Sequence, residues 1–260
     1  MSFQFLSPPS TPRSPNSEED AVPELDKMSD PRMAQCKSAV TQIEAALRSH
    51  PHAWQNYLQS ARGIVTAVSS MQSLPMGDWA YFVAVLQDLG FADADNGSVT
   101  DVTNWCQTQW LAMLEKRPNS TAALRGLGQY WLQRAQPSLA KIHAEEHGSS
   151  GSSRGSFGEQ VSEARLHTAS YVEARGVLSP ASDYFARAVQ AAYAEGCVTG
   201  DLLEKAAEAY MSLGNVSYSR NSQQYFSQAL QYLQMTSSIP GYQLPEHLQQ
   251  YLEEYGPLAG

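Results

Sequence analysis

Leu124, Leu127, Gly128 and Trp131 set three large side chains around one glycine at helical spacing. Residues three and four apart share a face of an α-helix, so the four form one packing surface with a notch at Gly128. A glycine inside a helix costs about 1 kcal/mol relative to alanine, so keeping one there implies a neighbour that comes very close. Ala140 is the small residue expected to meet Gly128 across a turn. The stretch therefore predicts a helical hairpin made of residues 120–135 and 137–146, with Pro137 opening the second helix.

Helical periodicity runs through most of the chain. Asp30-Pro31 is a start signal, Asp as cap and Pro in the first position. Met33, Val40, Ile43, Ala46 and Leu47 mark one face of a helix that Pro51 ends, and Trp54, Tyr57, Leu58, Ala61, Ile64 and Val65 mark a second. A shorter apolar helix is expected over 75–90, a loop over 91–98, and a helix from Thr100 or Asp101 that stops before Pro118. Beyond the 120–146 hairpin, two more pairs are predicted, 158–175 with 180–195 and 201–217 with 219–236. Ser179-Pro180 and Gly200-Asp201 serve as start signals, and a capping helix follows over 244–255. Alternating apolar and polar residues do not persist anywhere, so the fold class expected is all-α.

Four regions follow from composition. Residues 1–29 read as a disordered, acidic, Ser/Pro-rich tail, in which Ser7, Thr11 and Ser14 precede prolines and are candidate phosphorylation sites. Residues 30–146 carry helical repeats, 147–157 a Gly/Ser linker, and 158–260 further helical repeats with the capping helix. The longest apolar run, Trp79 to Leu86, is far short of the ~20 residues that cross a bilayer, so no membrane insertion is expected. The first residues also lack the basic-then-apolar order of a secretory signal. Cys36, Cys106 and Cys197 are scattered and odd in number, which argues against a disulfide framework and for small buried side chains. A net charge of −9 without any basic cluster argues against nucleic acid as a partner; it serves solubility and singles out no basic partner. A cytosolic or nuclear location is the compositional expectation.

The spacing of the central stretch resembles the tetratricopeptide repeat, a helical hairpin with W-x2-L-G-x2-Y in its first helix and A-x3-F in its second. Leu124 stands at the Trp position and Trp131 at the Tyr position. Cys106, Trp110, Met113 and Pro118 keep the second-helix spacing of a preceding unit, and Ala46 and Pro51 fit the end of an earlier one. Ala181, Phe185 and Ala188 match the second helix of a following unit, whose first helix would carry Thr168-Ala169 and Tyr171. Phe226 and Ala229 keep the spacing in the last, but Leu213-Gly214-Asn215 lies about four residues too near Phe226 for both to share one register. The resemblance covers roughly 35–236 and implies a right-handed superhelical array of antiparallel helix pairs. It also implies a concave groove lined by first helices, which would hold a peptide or partner helix. Projected onto this sequence, the groove-facing residues are Arg125, Gln129, Leu166, Ser170, Glu204 and Met211. Chaperone adaptors of the family clamp a terminal carboxylate with Lys and Asn; Arg125 and Gln129 depart from that pattern.

Chemistry has few footholds. His143-Ala-Glu-Glu-His147 has the H-x-x-E-H order of an inverted zinc-protease motif, with Glu146 as base and Glu204 or Glu208 as a further ligand. The motif abuts a Gly/Ser stretch, and a polar helix end explains it as well, so no metal is assigned. Neither G-x-S-x-G nor a phosphate-binding glycine motif occurs, and no cofactor is expected. Gly126-Leu-Gly128 lies within a helix, where it suits packing. Trp54, Trp79, Trp105, Trp110 and Trp131 fall on apolar faces and read as core. The functional expectation is a non-enzymatic scaffold or adaptor for another protein. The alternatives are a structural subunit of a larger complex and, further back, a zinc-dependent hydrolase using His143 and His147.

Overall fold

A computed structural model describes residues 31–71, 75–148 and 164–258. The expected tail with Ser7, Thr11 and Ser14, and all but the first two residues of the expected linker, lie outside the described residues. Among the described residues every regular element is helical. In chain order these are α1 (Pro31–Ser49), α2 (Leu58–Ser69), α3 (Met76–Gly90), α4 (Thr100–Lys116), α5 (Thr121–Arg134), α6 (Gln136–Gly148), α7 (Ala169–Glu195), α8 (Gly200–Asn215), α9 (Ser219–Ser237) and α10 (Glu246–Tyr255). Residues Pro51–Tyr57 form a 3-10 segment, so Trp54 and Tyr57 precede α2 instead of belonging to it.

The helix ends follow local chemistry. Ser120 caps α5 by accepting the Ala123 amide, and Thr199 caps α8 by accepting that of Leu202. Gly196 ends α7 in the left-handed region at φ 66°, where a side chain would be strained.

Two expectations fail. The first concerns pairing. The helices at 121–134 and 136–148 exist, but Gly128 does not meet Ala140. A Cβ on Gly128 would lie 2.9 Å from the Phe185 ring of α7, and Ala140 is half-buried elsewhere. The partner of α5 is therefore α7, with α6 and the stretch to residue 168 inserted between them. The second concerns α7 itself. The predicted break at Ser179-Pro180 is absent, and one helix runs from Ala169 to Glu195 with Pro180 inside it. An internal proline loses one helix hydrogen bond and costs ~3 kcal/mol, which burial must outweigh. Ala174, Leu178, Ala181, Phe185 and Ala188 are fully buried on both sides of Pro180, and that continuous apolar face holds the helix through it.

Four helical pairs result, α1 with α2, α3 with α4, α5 with α7 and α8 with α9. First helices also touch in series, α1 on α3, α3 on α5 and α5 on α8. Second helices back onto the next pair, α4 on α5 and α7 on α8. α6 lies on the N-terminal part of α7, where Ser170 and Tyr171 donate to Glu145 and Glu146. Arg175 ties that part of α7 to the α8–α9 connection. Its guanidinium donates to the Val216 carbonyl at 2.7 Å and to that of Leu166 at 2.8 Å, and it stacks over Tyr218. α10 closes the C-terminal end through buried Leu248, and Tyr242 crosses the start of α8 at Gly200. Two apolar clusters meet at α5, which gives Leu127 to the N-terminal one and Leu124 to the other.

Candidate functional cleft

α5 is wedged from two sides. Gly126 and Gly128 lie two residues apart, which turns them about 200° around the helix. A Cβ at Gly126 would lie 2.3 Å from the Trp110 ring of α4, while Gly128 seats Phe185 of α7. Both rings are nearly or fully buried. The expectation that Gly126-Leu-Gly128 serves packing is met, and the two glycines set how closely α4 and α7 approach.

The remaining face of α5 is open. Ala80, Ala84 and Asp88 of α3, Ala122, Arg125 and Gln129 of α5, and Lys205 of α8 line a cleft of about 340 Å³. Small side chains at four-residue spacing, Ala80 with Ala84 and Ala122 with Gly126, leave a trough between the two helices. Trp110 and Gln87 form its floor, both 2% exposed. A second hollow of about 670 Å³ adjoins it at the helix starts, sharing Ala80, Ala122 and Arg125 and adding Arg117, Glu195 and Cys197.

A chain of amides runs up from the floor. Trp110 Nε1 donates to Gln87 Oε1 at 2.8 Å. Gln87 Nε2 donates to the Gly126 carbonyl at 3.2 Å and to Gln133 Oε1 at 3.5 Å. Gln133 in turn hydrogen-bonds the Asp88 carboxylate. Asp88 is exposed to solvent on one side, while protein surrounds its carboxyl on the others. Loss of solvation pushes its carboxyl up to about 6, against the Gln133 hydrogen bond and the more distant Arg125, which favour the charged form.

The cations of the cleft are already matched. Arg125 Nη2 lies 2.5 Å from Asp201 Oδ2. Lys205 Nζ lies 2.8 Å from Glu208 and 3.5 Å from Glu204. Glu204 is itself buried and accepts the Tyr242 hydroxyl at 2.6 Å. Burial and this carboxylate push the Tyr242 phenol up.

Of the six residues expected to face a groove, Arg125 and Gln129 line this cleft. Glu204 sits behind Lys205 and is bonded inward, and Met211 packs half-buried against the C-terminal core. Leu166 and Ser170 are buried, Leu166 in the core and Ser170 against Glu145. The expected first helix at 158–175 does not hold in its described part: Leu166 lies in a 3-10 turn, Arg165–His167, and Ser170 in the first turn of α7, which begins only at Ala169. Asp88, Ala84 and Lys205 were missed. Ala80, Ala84 and Asp88 recur at every fourth position through the longest apolar stretch, a line that the sequence did hold.

Other expected features fall elsewhere. Glu146 accepts a hydrogen bond from Tyr171. Among the described residues no group of three His, Cys, Asp or Glu side chains could hold a metal ion. Cys36 and Cys106 are buried as expected, but Cys197 is exposed in the turn after α7. Its thiol is pushed up by lost solvation and by Glu195 beside it. Trp79 and Trp110 are core residues; Trp54, Trp105 and Trp131 are half-buried. Among the described residues no helix is long and apolar enough to cross a membrane. No family model matches the chain, and neither does any curated protein or solved structure.

Proposed function

We propose that this chain is a cytosolic or nuclear, non-enzymatic scaffold or adaptor for another protein. Its helix pairs form a right-handed superhelical, tetratricopeptide-like array, and its first helices hold a peptide or partner helix of another protein. The observation that carries the reading is the cleft lined by three successive first helices, α3, α5 and α8. In a stacked array the first helices share one face, so a trough across three of them is where an extended ligand gains contacts from several repeats. The serial contact of α1, α3, α5 and α8 supports the same arrangement. Among the described residues that line the cleft, no group is arranged as nucleophile with base. Its two cations are ion-paired and its one carboxylate is held by an amide, which suits recognition more than turnover.

The test is affinity purification with mass spectrometry on three versions of the full chain: wild type, Ala84→Arg, and Arg125→Glu with Gln129→Ala. Ala84 is exposed, so the arginine fills the trough without entering the core. The expected result is loss of a defined set of partners from both variants, each still folded with the helical circular dichroism of wild type; Arg125→Glu melts somewhat lower because it breaks the Asp201 ion pair. An identical partner list from all three would remove the cleft from consideration. A chain that stays soluble only with a co-purified partner would favour the structural-subunit reading.

A further inference from the structure

We infer that the α3–α5–α8 cleft recognises a peptide segment through a lysine or arginine side chain set against Asp88; this rests on the scaffold reading above. Charge accounting within the cleft carries the argument. Its lining includes two cations and one carboxylate. Arg125 is neutralised by Asp201, and Lys205 by Glu208 and Glu204. An incoming carboxylate would have to break one of these pairs to find a cation. Asp88 is the reverse case: it makes no ion pair among the described residues, and its hydrogen bond comes from a neutral amide, Gln133. An incoming ammonium or guanidinium therefore meets a carboxylate with nothing to displace except water.

Position fits this role. Asp88 lies four residues beyond Ala84 and eight beyond Ala80, at the end of the small-residue trough on α3. A peptide lying in the trough contacts Ala80, Ala84, Ala122 and Gly126 and reaches Asp88 with a long side chain. The chain from Trp110 through Gln87 and Gln133 holds Asp88 in place, so little conformational freedom is lost when a cation binds. The concave, partly desolvated setting strengthens the attraction relative to open water. The groups that bear on Asp88 are Arg125, which favours its charge, and Glu44 and Asp201, which disfavour it. Asp201 is paired with Arg125 and Glu44 with Arg48, which leaves Asp88 as the charge without a counter-ion.

The experiment selects random dodecapeptides displayed on phage against the immobilised full chain at neutral pH, with Ala84→Arg and Asp88→Lys selected in parallel. Wild type is expected to enrich peptides with a lysine or arginine at one fixed place among apolar residues, Ala84→Arg to enrich none of them, and Asp88→Lys to enrich peptides with an acidic residue at that place. Synthetic copies of the wild-type winners should bind Asp88→Asn about tenfold more weakly than wild type. They should also weaken as pH falls through about 6, where the proton competes with the bound cation. Three results would overturn the inference: winners with no fixed basic residue, winners with an acidic residue or free C-terminus in its place, or the same winners on Asp88→Lys. If those winners still vanish on Ala84→Arg, the cleft keeps its role and only the basic anchor falls. If selection yields nothing that Ala84→Arg abolishes, the cleft reading falls with it.

Discussion

The α5/α7 and α8/α9 pairs solve one packing problem with different chain connections. In each, a glycine on the first helix lies beneath a phenylalanine ring of the second, Gly128 under Phe185 and Gly214 under Phe226. α8 and α9 are neighbours in sequence, joined by a few residues. α5 and α7 are separated by α6 and the stretch that follows it, yet their seat is the tighter one. Phe185 is fully buried, with ring atoms 2.9 Å from where a Gly128 Cβ would stand, whereas Phe226 is half-buried and approaches Gly214 with its ring tip at 3.0 Å. At α5, complementary shape outweighs nearness along the chain in selecting the partner helix.

Removing the rings gives the largest expected difference. Phe185→Ala should cost ~3–5 kcal/mol in denaturant unfolding, as truncation of a fully buried phenylalanine does. Phe226→Ala should cost only about 1–2 kcal/mol, because its ring already meets water on one side. Equal losses would mean that the two seats are equivalent and the contrast is false.

Filling the seats comes next. Gly128→Ala should destabilise by about 1–2 kcal/mol despite the helix propensity it gains, since the Phe185 ring has nowhere to move. Gly214→Ala should lie within ~0.5 kcal/mol of wild type, because the exposed side of Phe226 lets the ring shift. A Gly128→Ala chain that melts above wild type would show the α5/α7 seat to be loose.

Arg175 joins the two pairs. Arg175→Ala should cost about 1–2 kcal/mol, through two carbonyls left without a donor and lost stacking on Tyr218. Hydrogen exchange should quicken in the N-terminal part of α7 and at residues 216–218 more than at Gly128. Uniform quickening would mean that α7 opens as a whole.

The smallest effects lie in the cleft, and they differ in sign. Glu208 is paired with Lys205, so Glu208→Gln should lower stability by a few tenths of a kcal/mol. Asp88 is desolvated without a cation, so Asp88→Asn should raise it, by up to about 1 kcal/mol at pH 8 once water access to the carboxylate is allowed for. The pH window follows from the two values. Between the ordinary 3.8 and about 6 the folded chain takes up the proton before the unfolded one. Acidification through that range therefore favours the fold through this group, and the advantage of Asp88→Asn should fade below about pH 4. An advantage independent of pH would show that Asp88 is solvated as in open water.

Much of the helix inventory was legible. Pro31, Pro51, Pro118 and Gly200-Asp201 act within a turn of where they stand, so boundaries near them could be read locally. The second-helix pattern Ala181, Phe185, Ala188 was also legible as a core face, and all three are fully buried. Its partner was not. A 34-residue period assumes short loops, and α6 with the stretch to residue 168 breaks that assumption. Pro180 misled for a related reason: its helix-breaking cost is local, while the burial that overrides it comes from α5 and α8, which pack against α7. The Leu213-Gly214-Asn215 puzzle dissolves in the same way, because Gly214 simply seats Phe226 near the end of α8. Arg125 and Gln129 could be placed on the open face of α5 because they sit in the regular part of the pattern. Asp88 was hidden, since a single carboxylate at the end of an apolar helix gains its meaning only from the helices that wall it in.

The sequence by itself determined that this chain is helical, where most helices start and stop, and which faces are apolar, because hydrogen bonding within a helix and its 3.6-residue period are local. Tertiary structure alone decided that α5 pairs with α7, that α7 runs through Pro180, and that Asp88, Arg125 and Lys205 share one cleft with only Asp88 lacking a counter-ion. Those outcomes depend on ring-to-glycine fit and on loss of solvation, and both exist only once distant segments have packed together.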